Sequence, residues 1–179
     1  MVLKGLTKDA HFHLPQSDAI ELYIPHQDSE SELAKREIDE TRPLYGLDYR
    51  GIGETMPNGC DQWGWDFFHE YNFDYHYDSL DILLGNSMLG GRVRDILSTI
   101  ELFRQNGTKD ILLTASGIGM VPAVFAAFLS DFPVRLQLQE PLPTYLENCC
   151  VLNPPIPQSM TPEGILKITD LDDIVKRLS

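Results

Sequence analysis

The chain has 179 residues, 42% of them hydrophobic and 23% charged, the make-up of a single globular domain with a real core. Its formal net charge of −13, with 14 Lys and Arg against 27 Asp and Glu, excludes the clustered cationic surface that nucleic acid demands. No apolar run approaches the roughly 18 residues of a membrane-spanning helix, and the opening "MVLKGLTKDAHFHLP" has no signal-peptide core, so a cytoplasmic place is expected by default.

In chain order, residues 19–26, "AIELYIPH", predict a strand ended by Pro25. "DSESELAKREIDE" predicts an exposed helix with Ser29 or Ser31 as its N-cap. "PLYGLDYRG" reads as a second buried strand entering a Gly-punctuated loop. Residues 53–78 hold Trp63, Trp65, Phe67, Phe68, Tyr71, Phe73, Tyr75 and Tyr77 without a clear period. They are expected as an aromatic-rich excursion lying over the domain. A helical pattern runs from about Ser79 to Gln105, with a weak point at Gly90-Gly91 and a stop near Gly107. Next come a strand (Asp110–Ala115), a helix (about Ile118–Leu129) and a strand (Val134–Gln139). The Pro-rich "NPPIPQSMTPEG" then leads to a short helix in "ILKITDLDDIVKRLS".

Strands alternating with helices predict one α/β domain over residues 1–179, a parallel sheet with helices on both faces. Ligands in such sheets bind beyond the carboxyl ends of the strands. Three such ends are Pro25-His26-Gln27, Asp48-Tyr49-Arg50-Gly51 and Ala115 through Gly119.

The third end, "ILLTASGIGMVPAVFAA", has the outline of strand, sharp turn and helix. A nucleophile elbow follows the pattern small-x-nucleophile-x-small, because the nucleophile sits in strained backbone where neighbouring side chains would clash. Ala115 and Gly119 are the small residues in this register, and the apex is Gly117, which has no side chain. Ser116 is the only side chain in the turn able to attack, but it lies one residue early and would point away from the apex. A second reading is a dinucleotide turn on Gly117 and Gly119, with Glu140, 23 residues after Gly117, as the ribose acid. Pro122 stands where that motif wants a third Gly or Ala, and the turn comes late in the chain. The plainest reading is that the glycines only let a strand enter a helix tightly.

Taken together, "YGLDYRGIGET", "LLGNSMLGGRVRD" and the strand–turn–helix after it resemble the central part of an α/β-hydrolase. The nearest branch is the acetyl-xylan-esterase, dienelactone-hydrolase and prolyl-oligopeptidase-like group, over roughly residues 20–179. The resemblance implies an oxyanion-hole loop at His26 and Gln27, a second donor in the Ile118 N–H, and Asp48 and Arg50 bracing the loop beside the elbow. A structural Asp–Arg pair or a loop cap is the simpler reading of those last two. It also implies a carbohydrate ester or another small molecule as ligand, and no cofactor.

The chain departs from that pattern where chemistry needs it. The apex is Gly117 instead of Ser, and no His follows His76, so the order Ser, Asp, His cannot be completed within these residues. The expectation is therefore a hydrolase-like domain without an intact triad, serving as a structural or binding module or as part of a longer protein. An active esterase or peptidase-like hydrolase completed from outside the chain is the alternative, and nucleotide binding a weaker one. Unpaired apolar sheet edges predict self-association.

Other clusters read as structure first. His11-x-His13 has the spacing of a metal pair but lacks a third ligand nearby. His69 and His76, with Asp66, Glu70, Asp74 and Asp78, form an acidic aromatic group that suits a sugar or a cation, or simply a packed lid with solvated acids. The acids at 170–173 read as charge at a helix N-terminus. Cys60, Cys149 and Cys150 have no zinc spacing and form no disulfide framework, so no metal is expected.

Overall fold

The computed structural model describes residues 1–5, 17–34, 42–56 and 74–178. Its strands are β1 (Val2–Gly5), β2 (Ala19–Ile24), β3 (Leu44–Asp48), β4 (Asp110–Ala115) and β5 (Val134–Leu138). Its helices are α1 (Ser29–Leu33), α2 (Asp74–Leu83), α3 (Met88–Gln105), α4 (Met120–Leu129), α5 (Tyr145–Cys149) and α6 (Leu171–Leu178). The strands form one five-stranded sheet in the order β1-β3-β2-β4-β5. All pairs are parallel except β1 with β3.

Period-two alternation gives the two faces of this sheet different chemistry. Ile20, Leu22 and Ile24 of β2 and Ile111, Leu113 and Ala115 of β4 all join the main core. Leu89, Val93, Ile96, Ile100 and Phe103 of α3 form an apolar stripe against that core. Helix α4 is apolar on nearly every side, from Met120 and Val121 to Ala127, and accordingly lies deep in the same cluster. The intervening residues of β2 and β4 face the other way. There Tyr23 packs with Leu33 of α1 and Leu44 in a second, small cluster, and the Thr114 hydroxyl donates to Glu21.

Four expectations need correction. The cap of α1 is Asp28, whose carboxylate accepts from the Glu30 and Ser31 N–H groups, not Ser29 or Ser31. Aspartate's two oxygens satisfy two first-turn donors at once. The single helix expected from about Ser79 to Gln105 is two. It breaks at Gly85, in left-handed backbone at φ 72°, and restarts with Ser87 as N-cap of α3. Gly90 and Gly91 are no weak point; they lie in the first turn of α3, and the Arg50 guanidinium occupies the space where a Gly91 side chain would stand. Finally, the excursion ends sooner than expected, because Asp74–Leu83 is helix α2.

The sequence reading also passed over the short strand β1 and helix α5. Residues 57–73, with His69, Asp66 and Glu70, and residues 6–16, with His11 and His13, lie outside the described residues. No helix among the described residues is long and apolar enough to cross a membrane.

Candidate functional site

Strand β2 lies at the middle of the sheet, and the chain departs from it to opposite sides. It goes first to β3, then back past β2 to β4 and β5. Loops after β2 and β4 therefore diverge at a topological switch point, which opens a crevice at their carboxyl ends. Pro25–Asp28 form one lip of this crevice and Ser116–Gly119 the other.

The turn after β4 is a short 3-10 segment, Gly117–Gly119, that runs straight into α4. Gly117 sits at φ +48°, a left-handed conformation, and a Cβ there would overlap the His26 ring. At Gly119 a Cβ would overlap the Pro25 carbonyl. The two loops thus touch so closely that glycine is required on one side. The His26 ring fills the place over the apex where a nucleophile's side chain would stand.

Every backbone donor of this crevice that hydrolase chemistry would use has an acceptor from the chain itself. The Ile118 N–H donates to His26 Nδ1 at 3.1 Å. The Gly117 N–H donates to Glu140 Oε1 at 3.0 Å. On the opposite lip, the His26 N–H donates to Glu32 Oε2 at 3.0 Å, and the Gln27 N–H to Glu32 Oε1 at 2.7 Å. The Asp28 N–H reaches the same oxygen at 3.2 Å.

Ser116 belongs to the extended backbone that continues β4, at φ −129° and ψ 156°. Alternation turns its side chain toward the α1 face of the sheet, away from the apex. There its hydroxyl donates to Glu32 Oε2 at 2.8 Å and accepts from the Tyr23 hydroxyl at 2.9 Å. The Tyr23 hydroxyl is also 2.9 Å from Glu32 Oε2. Burial works against charge on Glu32, but the Gln27, His26 and Asp28 N–H groups and the Ser116 hydroxyl outweigh it and hold the carboxyl below the usual carboxylate range. A carboxylate so well solvated by donors is a weak base toward Ser116.

Asp48 and Arg50 do not pair with each other. Asp48 is fully buried and accepts from the Ser29 N–H at 3.0 Å and the Glu54 N–H at 3.0 Å. It also forms an ion pair with Lys4 at 3.1 Å. These contacts tie the start of α1 to the turn at Gly53–Thr55. Burial alone would raise the Asp48 carboxyl, but the Ser29, Glu54 and Lys4 contacts hold it below its ordinary range. Arg50 instead forms a bidentate pair with Asp95 of α3, at 2.7 and 3.0 Å.

A cavity of about 250 Å³ opens beside the turn. His26 and Glu140 are its polar walls, and Met120, Val121, Leu142, Pro143 and Ile156 its apolar ones. Glu140 on the Gly117 N–H puts negative charge where a dinucleotide's pyrophosphate would need to approach, and Pro122 is buried within α4.

Reasoning from sequence missed Glu32, Tyr23 and Lys4. Glu32 has a signal: an acid one turn into a helix that starts at a strand end can reach back to the loop's N–H groups. Tyr23 and Lys4 have none, because only the folded sheet sets them beside Ser116 and Asp48. Among the described residues no group of three or more His, Cys, Asp or Glu is placed to hold a metal ion. Compared with protein-family models, curated proteins and solved structures, the chain has no match in any of the three.

Proposed function

We propose that this chain is an α/β-hydrolase-like domain, related to carbohydrate esterases, that acts as a binding or structural module without acyl-transfer chemistry. The observation that carries this reading is Glu32. Its carboxylate takes the His26, Gln27 and Asp28 N–H groups and the Ser116 hydroxyl together. An oxyanion hole works only if its donors point at an empty position where charge develops in the transition state. Here a permanent anion occupies one lip, and His26 Nδ1 takes the Ile118 N–H on the other.

The sheet supports the hydrolase-like part of the reading. Its strands are parallel except for β1, and the chain passes from β4 through a tight glycine turn straight into α4, the strand–turn–helix outline of a nucleophile elbow. The cavity of about 250 Å³ beside His26 and Glu140 has room for a small ester or a sugar substituent, not for a long chain. Self-association belongs to the same reading. The outer edge of β5 has no partner strand among the described residues, and such an edge offers a template for pairing.

Turnover of p-nitrophenyl acetate by the whole chain tests the proposal. The expected rate is the buffer background, unchanged in Ser116→Ala and in Gly117→Ser. Turnover above background that Ser116→Ala abolishes would overturn it, and would favour an active hydrolase. Light scattering tests the association: a dimer or larger species is expected, and a monodisperse monomer counts against it.

A further inference from the structure

Helix α2 is built inside out. Its buried residues are two carboxylates one turn apart, Asp74 and Asp78, while Ile82 and Leu83 stand exposed. The reason lies beneath it. Arg92 of α3 is 1% exposed. It binds one oxygen of Asp74, donates to Ser159 Oγ at 3.0 Å and to the Arg50 carbonyl at 3.2 Å, and lies against the Tyr49 ring. Among the described residues, one cation thus stands against two buried acids.

Asp78 is 5% exposed, and its Oδ2 accepts no hydrogen bond among the described residues. Burial, together with the repulsion of Asp74, pushes its carboxyl above the usual range, against the attraction of Arg92 and a hydrogen bond from Gln158. A buried carboxylate oxygen without a donor is costly, and in a folded protein it asks for an explanation. Asp78 also lines a cavity of about 600 Å³ between α2 and residues 158–163. Its other polar walls include Glu163, Asn86 and Gln158, with Ile82 and Leu89 as apolar ones, and no Lys, Arg or His is among the described lining residues.

We propose that this cavity binds a small organic ammonium ion, with the –NH3+ group hydrogen-bonded to Asp78 and its aliphatic body against Ile82 and Leu89. An ammonium supplies three donors and one positive charge. That matches the donor Asp78 lacks and the charge Arg92 leaves uncompensated. Asn86 and Glu163 then serve a second polar end of the ligand. The site lies apart from the crevice at His26 and Gly117, and it does not depend on what that crevice does.

Calorimetric titration of the whole chain with 1,4-diaminobutane, at pH 7 and fixed ionic strength, tests this. Saturable one-site binding is expected, weakened at least tenfold in Asp78→Asn and unchanged within twofold in Asp172→Asn on α6. Because Asp78 is buried, Glu163→Gln at an exposed position serves as a second variant, expected to weaken binding threefold or more. Butane-1,4-diol, of the same length without charge, is expected not to bind. Absence of saturable binding by the wild type would overturn the proposal. So would equal affinity in a folded Asp78→Asn variant, a diol that binds as tightly as the diamine, or magnesium chloride that displaces the diamine at matched ionic strength.

Discussion

The crevice between β2 and β4 and the wall formed by α2 are both places where polar groups are buried, but they are completed differently. In the crevice each exposed end of the backbone meets an acceptor: Glu32 takes three N–H groups, His26 one and Glu140 another. At α2 the count does not close, since the second oxygens of Asp74 and Asp78 have no donor among the described residues. A closed polar network adds rigidity and leaves nothing for a substrate to bond. An open one is less stable and leaves a position that a ligand can fill.

The sharpest way to break the α2 side is Arg92→Leu, which strands the buried Asp74 and Asp78 without a cation. Removing one partner of a buried pair costs about 4 kcal/mol, to be measured by urea denaturation; a loss below about 1 kcal/mol would show that the pair is not the anchor of α2. On the crevice side, Gly119→Ala drives a Cβ into the Pro25 carbonyl, which is backbone and cannot swing aside. Overpacking of this kind is expected to destabilise by about 3 kcal/mol, and a neutral result would mean that the two lips are not locked together.

Glu32→Gln keeps the shape but replaces one accepting oxygen by a donor, so N–H groups of the loop after β2 lose their acceptor. About 2 kcal/mol of stability should go, without any gain in ester turnover; a gain would mean that Glu32 merely guards a working oxyanion hole.

Acid titration separates the two regions by sign. Glu32 and Asp48 have folded-state carboxyls below their usual range. Their contribution is complete above the ordinary carboxylate range, about pH 4, and is lost as pH falls through the lower folded-state values. Asp78 is displaced upward, so it weakens the fold as pH rises from the ordinary range through its folded-state value. Denaturation midpoints between pH 3 and 7 should therefore fall less steeply toward acid in Glu32→Gln. In Asp78→Asn the stability near neutrality should instead rise. The same slope in both variants would erase the contrast. Ser116→Ala is the smallest change, about 1 kcal/mol: the Ser116 bonds to Glu32 and Tyr23 are lost, but Glu32 keeps its backbone donors and the Tyr23 hydroxyl.

The sheet was legible because its strands are short apolar runs with clear ends: "AIELYI" and "DILLTA" are β2 (Ala19–Ile24) and β4 (Asp110–Ala115). The apex at Gly117 was legible too, since the small residues at Ala115 and Gly119 fix the register of the turn. Where patterns misled, two local signals overlapped. Helices α2 and α3 share one helical period across Gly85–Ser87, so periodicity joined them, while positive φ at Gly85 and the Ser87 cap divide them. Asp48 and Arg50, two residues apart in the sequence, suggested a pair. Residues two apart share a face only while a strand continues; β3 ends at Asp48 and Arg50 lies in the turn beyond it, so each found its partner on a distant element, Lys4 or Asp95.

What the amino-acid order alone determined is local: alternation, caps, the tight glycine turn, and the missing side chain at its apex. These depend on backbone sterics and on burial of neighbouring residues, which a short window contains. Tertiary structure decided which charges meet. Glu32 reads as one acid on an exposed helix until α1 folds back over Ser116, 84 residues away along the chain. Arg92 reads as a surface cation until α2 covers it with Asp74. Electrostatic partners are set by distance in space, and a carboxylate's role as cap, lock or open acceptor follows from the donors that the fold happens to bring within about 3 Å.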